Sequence, residues 1–270
     1  MAPGVRLNRL SRPIRRAQSQ ARVIHLYGLT QAPGPSAELF RSLKGVDGAA
    51  PVEPIACGDL VCWISRVPEA EFALKLSENM QDLDWLAEAT TRHQLVLSTI
   101  ALTADVLPAR FGIEFLDDKS LRSHIGSRQP VLKADLDRIR GREEWGVKVL
   151  ALPAAPMIRK KVRSGKEYLQ AKSALSHRTV ERANPELLDF AKELRLIADD
   201  VVEGGKFAAA RRDLEFHKTV LLKRVDRKKL ERFVRSYSRK WKNKRRIECT
   251  GPWPPFSFVS QPKSSGSSDG

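Results

Sequence analysis

The sequence predicts an α+β protein of two domains, the C-terminal one a modified ferredoxin-like fold with a split first helix and an antiparallel sheet. Three observations point there. The chain has 270 residues, 41% hydrophobic and 30% charged, the length and composition of one large or two modest globular domains. Strand-like and helix-like segments are interspersed, and beyond Gly141 they run β-α-α-β-β-α-β, which without the extra helix is the ferredoxin-like order. Gly141 itself separates two sets of elements. The expected division is a basic arm at 1–20, an N-terminal α+β domain at 21–141, the ferredoxin-like domain with a Pro/aromatic tail at 142–260, and a Ser/Gly-rich tail at 261–270.

Each element has a local reason. The β-rich run 23–29 ends at the cluster Pro33-Gly34-Pro35. Gly58-Asp59 between 52–56 and 60–66 is a two-residue hairpin signal. Met80, Leu83, Leu86, Ala87, Thr90, His93 and Leu97 recur at steps of three and four, so 79–98 is predicted as an amphipathic helix. Residues 106–115 read as extended around Pro108 and Gly112, and 117–139 as two short helices. Beyond Gly141, 145–152 reads as a strand and 165–182 as a helix. Asn184-Pro185 is an N-cap followed by proline at the first helical position. The stripe Leu187, Leu188, Ala191, Leu194, Ala198 and Val201 then predicts a helix running to Gly204-Gly205. Strands are expected at 206–212 and 216–224, a helix capped by Asp226 with Leu230, Phe233, Val234, Tyr237 and Trp241 on its apolar face, and a last strand at 245–250.

The net charge of +16 is strongly localised. Residues 1–22 carry six arginines and no acid, and 218–246 carry fourteen basic residues against Asp226 and Glu231, while the body between them is neutral. Such segments attract anionic partners through salt-dependent fields. A nucleic-acid or anionic-surface binder using the helix at 226–246 and the arm is therefore one functional class. Against it, the aromatics of that helix share its apolar face instead of interleaving with its cations for base stacking. No apolar run reaches the roughly 18–20 residues of a membrane span. Cys57, Cys62 and Cys249 form no CxxC pair, which argues against a disulfide framework or a zinc site and for a reducing cytoplasm.

The motifs of common enzyme chemistry are missing. Gly165-Lys166 and Gly205-Lys206 lack the Ser or Thr of a phosphate loop, and the five histidines give no i,i+4 pair. Gly266-Ser267-Ser268-Asp269-Gly270 matches a nucleophile elbow only formally, without the strand–turn–helix context. His93, on an apolar helix face, reads as a hydrogen-bonded core histidine in preference to a metal ligand. No catalytic residue, metal ligand, cofactor or small-molecule substrate is expected. Two segments stand out instead. Gly251-Pro252-Trp253-Pro254-Pro255-Phe256-Ser257-Phe258 is a rigid aromatic strip, either packed on its own domain or docking a partner. In Pro108-Ala109-Arg110-Phe111-Gly112 a fixed turn frames an arginine that either clamps an internal carboxylate or offers a cation to a partner.

These two segments, with Glu144-Trp145-Gly146-Val147-Lys148 and Gly165, Tyr168, Leu169 and Lys172 between them, occur in an order that resembles the gas vesicle protein family GvpL/GvpF. Tyr27-Gly28, Gly58-Asp59-Leu60 and His93 agree with it. Ala109 departs from a larger aliphatic residue and Phe256 from a common tyrosine, and the arm lies outside the pattern. The resemblance implies a non-enzymatic accessory protein of the cytoplasmic gas vesicle, with the hydrophobic shell protein and other accessory proteins as partners. The candidate partner-binding residues are Pro108, Arg110, Phe111, Trp145, Lys148, Trp253, Pro254, Pro255 and Phe256.

Overall fold

The computed structural model describes residues 21–152, 184–205 and 213–260. The arm, the helix expected at 165–182, the strand expected at 206–212 and the C-terminal tail lie outside the described residues. The structure has mixed α and β content, with the strands in two antiparallel sheets.

The first sheet holds β1 (Arg22–Gln31), β2 (Glu53–Cys57), β3 (Leu60–Pro68) and β4 (Leu107–Pro108) in the order β2-β3-β1-β4, with β5 (Glu114–Phe115) also paired to β1. The hairpin between β2 and β3 turns at Gly58-Asp59 as the sequence predicts. Both faces of this sheet are covered, because side chains alternate across the pleat. On β3, Leu60, Cys62 and Ile64 face one layer while Val61, Trp63 and Val67 face the other. The first layer packs on α3 (Asp118–Ile139), the second on α2 (Leu83–Ala101), which follows a single turn, α1 (Leu76–Asn79).

Two helix expectations are corrected here. Asp82 caps α2, accepting from the backbone N–H groups of Asp84 and Trp85, so Met80 precedes the helix and Leu83 opens it facing solvent. The buried face is Ala89, His93, Val96, Leu97 and Ile100. Residues 117–139 form one helix in place of two, opened by an Asp117–Ser120 capping box and continuous through Pro130. A proline inside a helix costs about 3 kcal/mol. Leu121 and Ile125 before it, and Leu132, Leu136 and Ile139 after it, are all buried on the same layer. At about 1.5–3 kcal/mol per buried aliphatic side chain, their burial outweighs the break.

The second sheet holds β6 (Arg142–Ala151), β7 (Asp200–Glu203), β8 (Leu214–Lys223) and β9 (Arg245–Trp253) in the order β7-β8-β6-β9. One face carries α4 (Pro185–Ile197) and α5 (Arg227–Lys240) over a core that includes Val147, Val149, Phe190, Leu230, Phe233 and Trp241. Leu221 on the opposite face joins the core under α3, so the two sheets share buried apolar surface. Asn184 caps α4 by accepting from Glu186 N–H. The helix stops at Ile197, short of Gly204, because Val201 pairs with Val220 in β7. Leu188 consequently faces solvent, and Phe190 and Leu194 fill the core. Asp226 does not cap α5; it pairs with Lys229 at 2.7 Å.

Candidate functional site

The strip and the arginine turn singled out in the sequence come together. After β9 ends at Trp253, the chain crosses back onto the first sheet, and Phe258 enters the core beside Ile24, Leu26 and Leu132. Two buried carboxylates hold this strap. Glu144 on β6 accepts from the Ser257 backbone N–H at 2.7 Å and hydroxyl at 2.9 Å. Asp135 on α3 accepts both the backbone N–H and the hydroxyl of Ser260 at 2.8 Å. Burial pushes the Glu144 carboxyl above its ordinary range, against the pull of the two Ser257 donors. Gly251, at φ +148°, runs so close to β6 that a Cβ there would lie 2.8 Å from the Glu144 carbonyl oxygen and 2.8 Å from the Trp145 ring. Gly251→Ala is expected to cost about 1–3 kcal/mol in a urea melt through this overpacking.

Two clefts flank the strap. The first, about 430 Å³, is walled by Trp253, Pro254 and Pro255 and faced by Arg142, Arg224 and Arg227. Each of these arginines has a carboxylate: Asp199 at 2.5 Å, Asp105 at 2.7 Å and Glu143 at 2.6 Å respectively. Pro254 and Pro255 are buried, while Trp253 keeps 41% of its surface open to solvent. The second cleft, about 320 Å³, has walls of Pro108 and Phe256 and a floor that includes Leu26, Leu107 and Leu132. Arg110 and Arg128 stand at its rim. Pro108 pairs with Gly28 in the sheet, Ala109 N–H donates to the Tyr27 carbonyl at 2.8 Å, and Gly112 at φ +85° turns the chain. Arg110 is thereby fixed at the surface, with no hydrogen bond or ion pair to any described residue. Phe111 points inward, its ring 5.7 Å from His25 and 5.8 Å from His93.

The remaining candidates stand apart from both clefts. Trp145 Nε1 donates to Glu143 at 2.9 Å, and the Arg227 guanidinium lies 5.9 Å over its ring, so Trp145 backs the strap. Lys148 lies mid-sheet, opposite His217 on β8 and Glu248 on β9.

Sequence reasoning missed the strap's anchors Asp135 and Glu144, whose partners are 125 and 113 residues away. It also missed a buried polar chain. His93 Nε2 lies 3.1 Å from the Ala109 carbonyl, His93 Nδ1 2.9 Å from His25 Nε2, and His25 Nδ1 2.6 Å from Glu114 Oε1. A carbonyl only accepts, so His93 Nε2 carries a proton. In a neutral chain His25 Nε2–H then donates to His93 Nδ1, and Glu114 must donate to His25 Nδ1. Burial acts the same way, pushing Glu114 up to about 8 and both histidines down to about 3. The second Glu114 oxygen is buried without a partner, which suits a neutral carboxyl better than a carboxylate. Every ring nitrogen is used within the chain, so His93 is the hydrogen-bonded core histidine its position suggests.

Two antiparallel sheets latched by a carboxylate-anchored strap define an α+β scaffold that brings six of the nine candidate residues, Pro108, Arg110, Trp253, Pro254, Pro255 and Phe256, to two clefts. Among the described residues no group of three or more His, Cys, Asp or Glu could hold a metal ion, and no helix is long and apolar enough to cross a membrane. The chain belongs to the family of gas vesicle synthesis proteins GvpL/GvpF, which it matches over residues 23–260. It is 30% identical over 226 residues to gas vesicle protein L of Streptomyces sp. (strain CB03234), covering 78% of this chain and 84% of that one. It shares its fold with the crystal structure of gas vesicle protein GvpF from Anabaena sp. PCC7120, with a TM-score of 0.68 at 18% identity over 89% of this chain and 97% of that one. The GvpF structure from Microcystis aeruginosa gives 0.65 at 16% identity over 88% and 99%.

Proposed function

We propose that this chain is an accessory protein of gas vesicle assembly that binds the hydrophobic shell protein and other accessory proteins in the cytoplasm, without catalysing a reaction. The family match over residues 23–260 carries this reading. The physics agrees: a subunit with a large apolar face is an aggregation hazard in water, and a folded partner that covers the face removes it. Two domains, at 21–141 and 142–260, would hold the clefts in place. The order β7-β8-β6-β9, all antiparallel with α4 and α5 on one face, supports a ferredoxin-like C-terminal unit. Trp253 is the contact residue we favour, as a half-exposed tryptophan at a cleft edge.

The test is capture of purified shell protein, beside a DNA titration over salt. Trp253→Ala is expected to lower stability by about 1 kcal/mol or less, as for surface positions, and to weaken capture by about thirtyfold, the loss of one interface hot spot. Unchanged capture would remove Trp253 from the interface. Tight DNA binding with a steep salt slope and no capture would favour the anionic-partner alternative instead. Phe233, Tyr237 and Trp241, however, are buried in the core and offer no stacking face, and Arg227 is held by Glu143.

A further inference from the structure

We propose that the 320 Å³ cleft between the 108–112 turn and the strap is a docking pocket for a partner polypeptide segment that presents a bulky apolar side chain beside carboxylates. The floor and walls are mostly aliphatic and aromatic, with His124 and Ser260 among the lining, and among the described residues no aspartate or glutamate lines the cleft. Among the described residues its two arginines have no carboxylate partner. Arg110 has no bonded partner among the described residues, and Arg128 only donates to the Ser260 carbonyl at 3.4 Å. The three arginines of the neighbouring cleft, by contrast, are each paired. The buried carboxylates under the strap are engaged elsewhere, Asp135 by Ser260 and Glu144 by Ser257.

This is the anatomy of an interface hot spot, an apolar socket with a polar rim. A small-molecule site would place several polar groups to orient its ligand, whereas the polar residues among this mostly apolar lining are Arg110, Arg128, His124 and Ser260, with Arg110 and His124 exposed. The volume is near the lower bound of such sites and matches a side chain or two. The chain's own termini do not fit. Residues 261–270 contain no aliphatic or aromatic side chain apart from Pro262, and residues 1–20 are basic and would be repelled by the rim.

Arg110 supplies the charge half of the recognition, and its place follows from sequence. Pro108 in the sheet and Gly112 at positive φ fix the turn, leaving the side chain between them free to meet a bidentate carboxylate.

The test is fluorescence anisotropy with the full chain and a labelled peptide, Asp-Glu-Leu-Phe-Asp-Glu. Two control peptides replace either Leu-Phe by Ala-Ala or the four acids by their amides. Saturable binding that weakens at least tenfold for each control, and again for Arg110→Glu at unchanged melting temperature, is the expected result. Equal binding of the Ala-Ala peptide would reduce the effect to general attraction by a chain of charge +16 and overturn the proposal. So would absence of binding by any peptide, or an Arg110→Glu variant that binds as well as the parent. A second copy is the other candidate occupant, because Leu83 is exposed between Asp82 and Asp84. Concentration-dependent dimers in light scattering that vanish with Leu83→Lys would assign the pocket to self-association and refute a separate partner. The peptides are independent of the shell protein, so this outcome and that of the capture experiment are read separately.

Discussion

Phe258→Ala is expected to lower the unfolding free energy by about 3–5 kcal/mol, the range for truncating a fully buried aromatic side chain. Phe258 keeps 2% of its surface exposed and lies in the core shared by β1, β3, α3 and Leu221 of β8. It is the residue through which the chain leaving the second sheet enters the core of the first. Truncation leaves a cavity that the neighbours cannot close, because Ser257 and Ser260 on either side are tied to Glu144 and Asp135. Those four hydrogen bonds hold the backbone where the ring was. The same property separates Phe258 from Trp253, five residues earlier and half in solvent. The measurement is urea unfolding of the full chain for both alanine variants. A loss under about 1 kcal/mol for Phe258→Ala would mean that the strap detaches without cost, and both clefts would then lack their common wall.

The sequence was legible where one local signal decided the structure. β1 follows from a β-rich run ended by a Pro/Gly cluster, the hairpin from its Gly58-Asp59 turn, and the apolar face of α5 from three–four spacing. It misled where tertiary burial competed with a local signal. The two short helices expected at 117–139 are one, because five buried side chains on α3 outweigh the cost of Pro130, and the apolar spacing through Ala198 and Val201 predicts helix where pairing with β8 imposes strand. Of the candidate site, the turn and the strip were visible because proline and glycine confine their backbones. Their meeting was not, since it depends on Glu144 and Asp135, which look like ordinary surface acids in sequence. Arg110 illustrates the limit: the turn predicts either an internal clamp or an offered cation, and the structure shows that among the described residues no carboxylate pairs with it. The buried chain was half visible. His25 interrupts an apolar strand, yet its partners lie 68 and 89 residues away.

That chain gives the second large effect. His93→Leu fills a similar volume but leaves the buried Ala109 carbonyl and His25 Nε2–H without partners. Each orphaned buried group costs about 1–3 kcal/mol, so a loss of about 2–6 kcal/mol is expected. The same cluster sets a pH profile whose sign follows from the shifts. Burial raises Glu114 above its ordinary 4.5 to about 8, so its contribution is complete below pH 4.5 and is lost as pH rises toward 8. Burial lowers His25 and His93 below their ordinary 6.5 to about 3, so theirs is complete above pH 6.5 and is lost as pH falls toward 3. Between 4.5 and 6.5 two histidines oppose one carboxyl and stability rises with pH. Above 6.5 only Glu114 titrates and stability falls, by about 2 kcal/mol up to pH 8 at 1.36 kcal/mol per unit. The cluster's contribution therefore peaks near pH 6.5. Glu114→Gln isolates the alkaline limb, because its amide still donates to His25 Nδ1 and carries no titrating proton. The difference between the wild-type and Glu114→Gln unfolding curves should shrink wild-type stability relative to the variant from pH 6.5 to 8. A difference that stays constant over that range would mean that the folded cluster holds no extra proton, leaving Glu114 ionised beside a neutral His25 in place of the neutral chain that the Ala109 carbonyl directs.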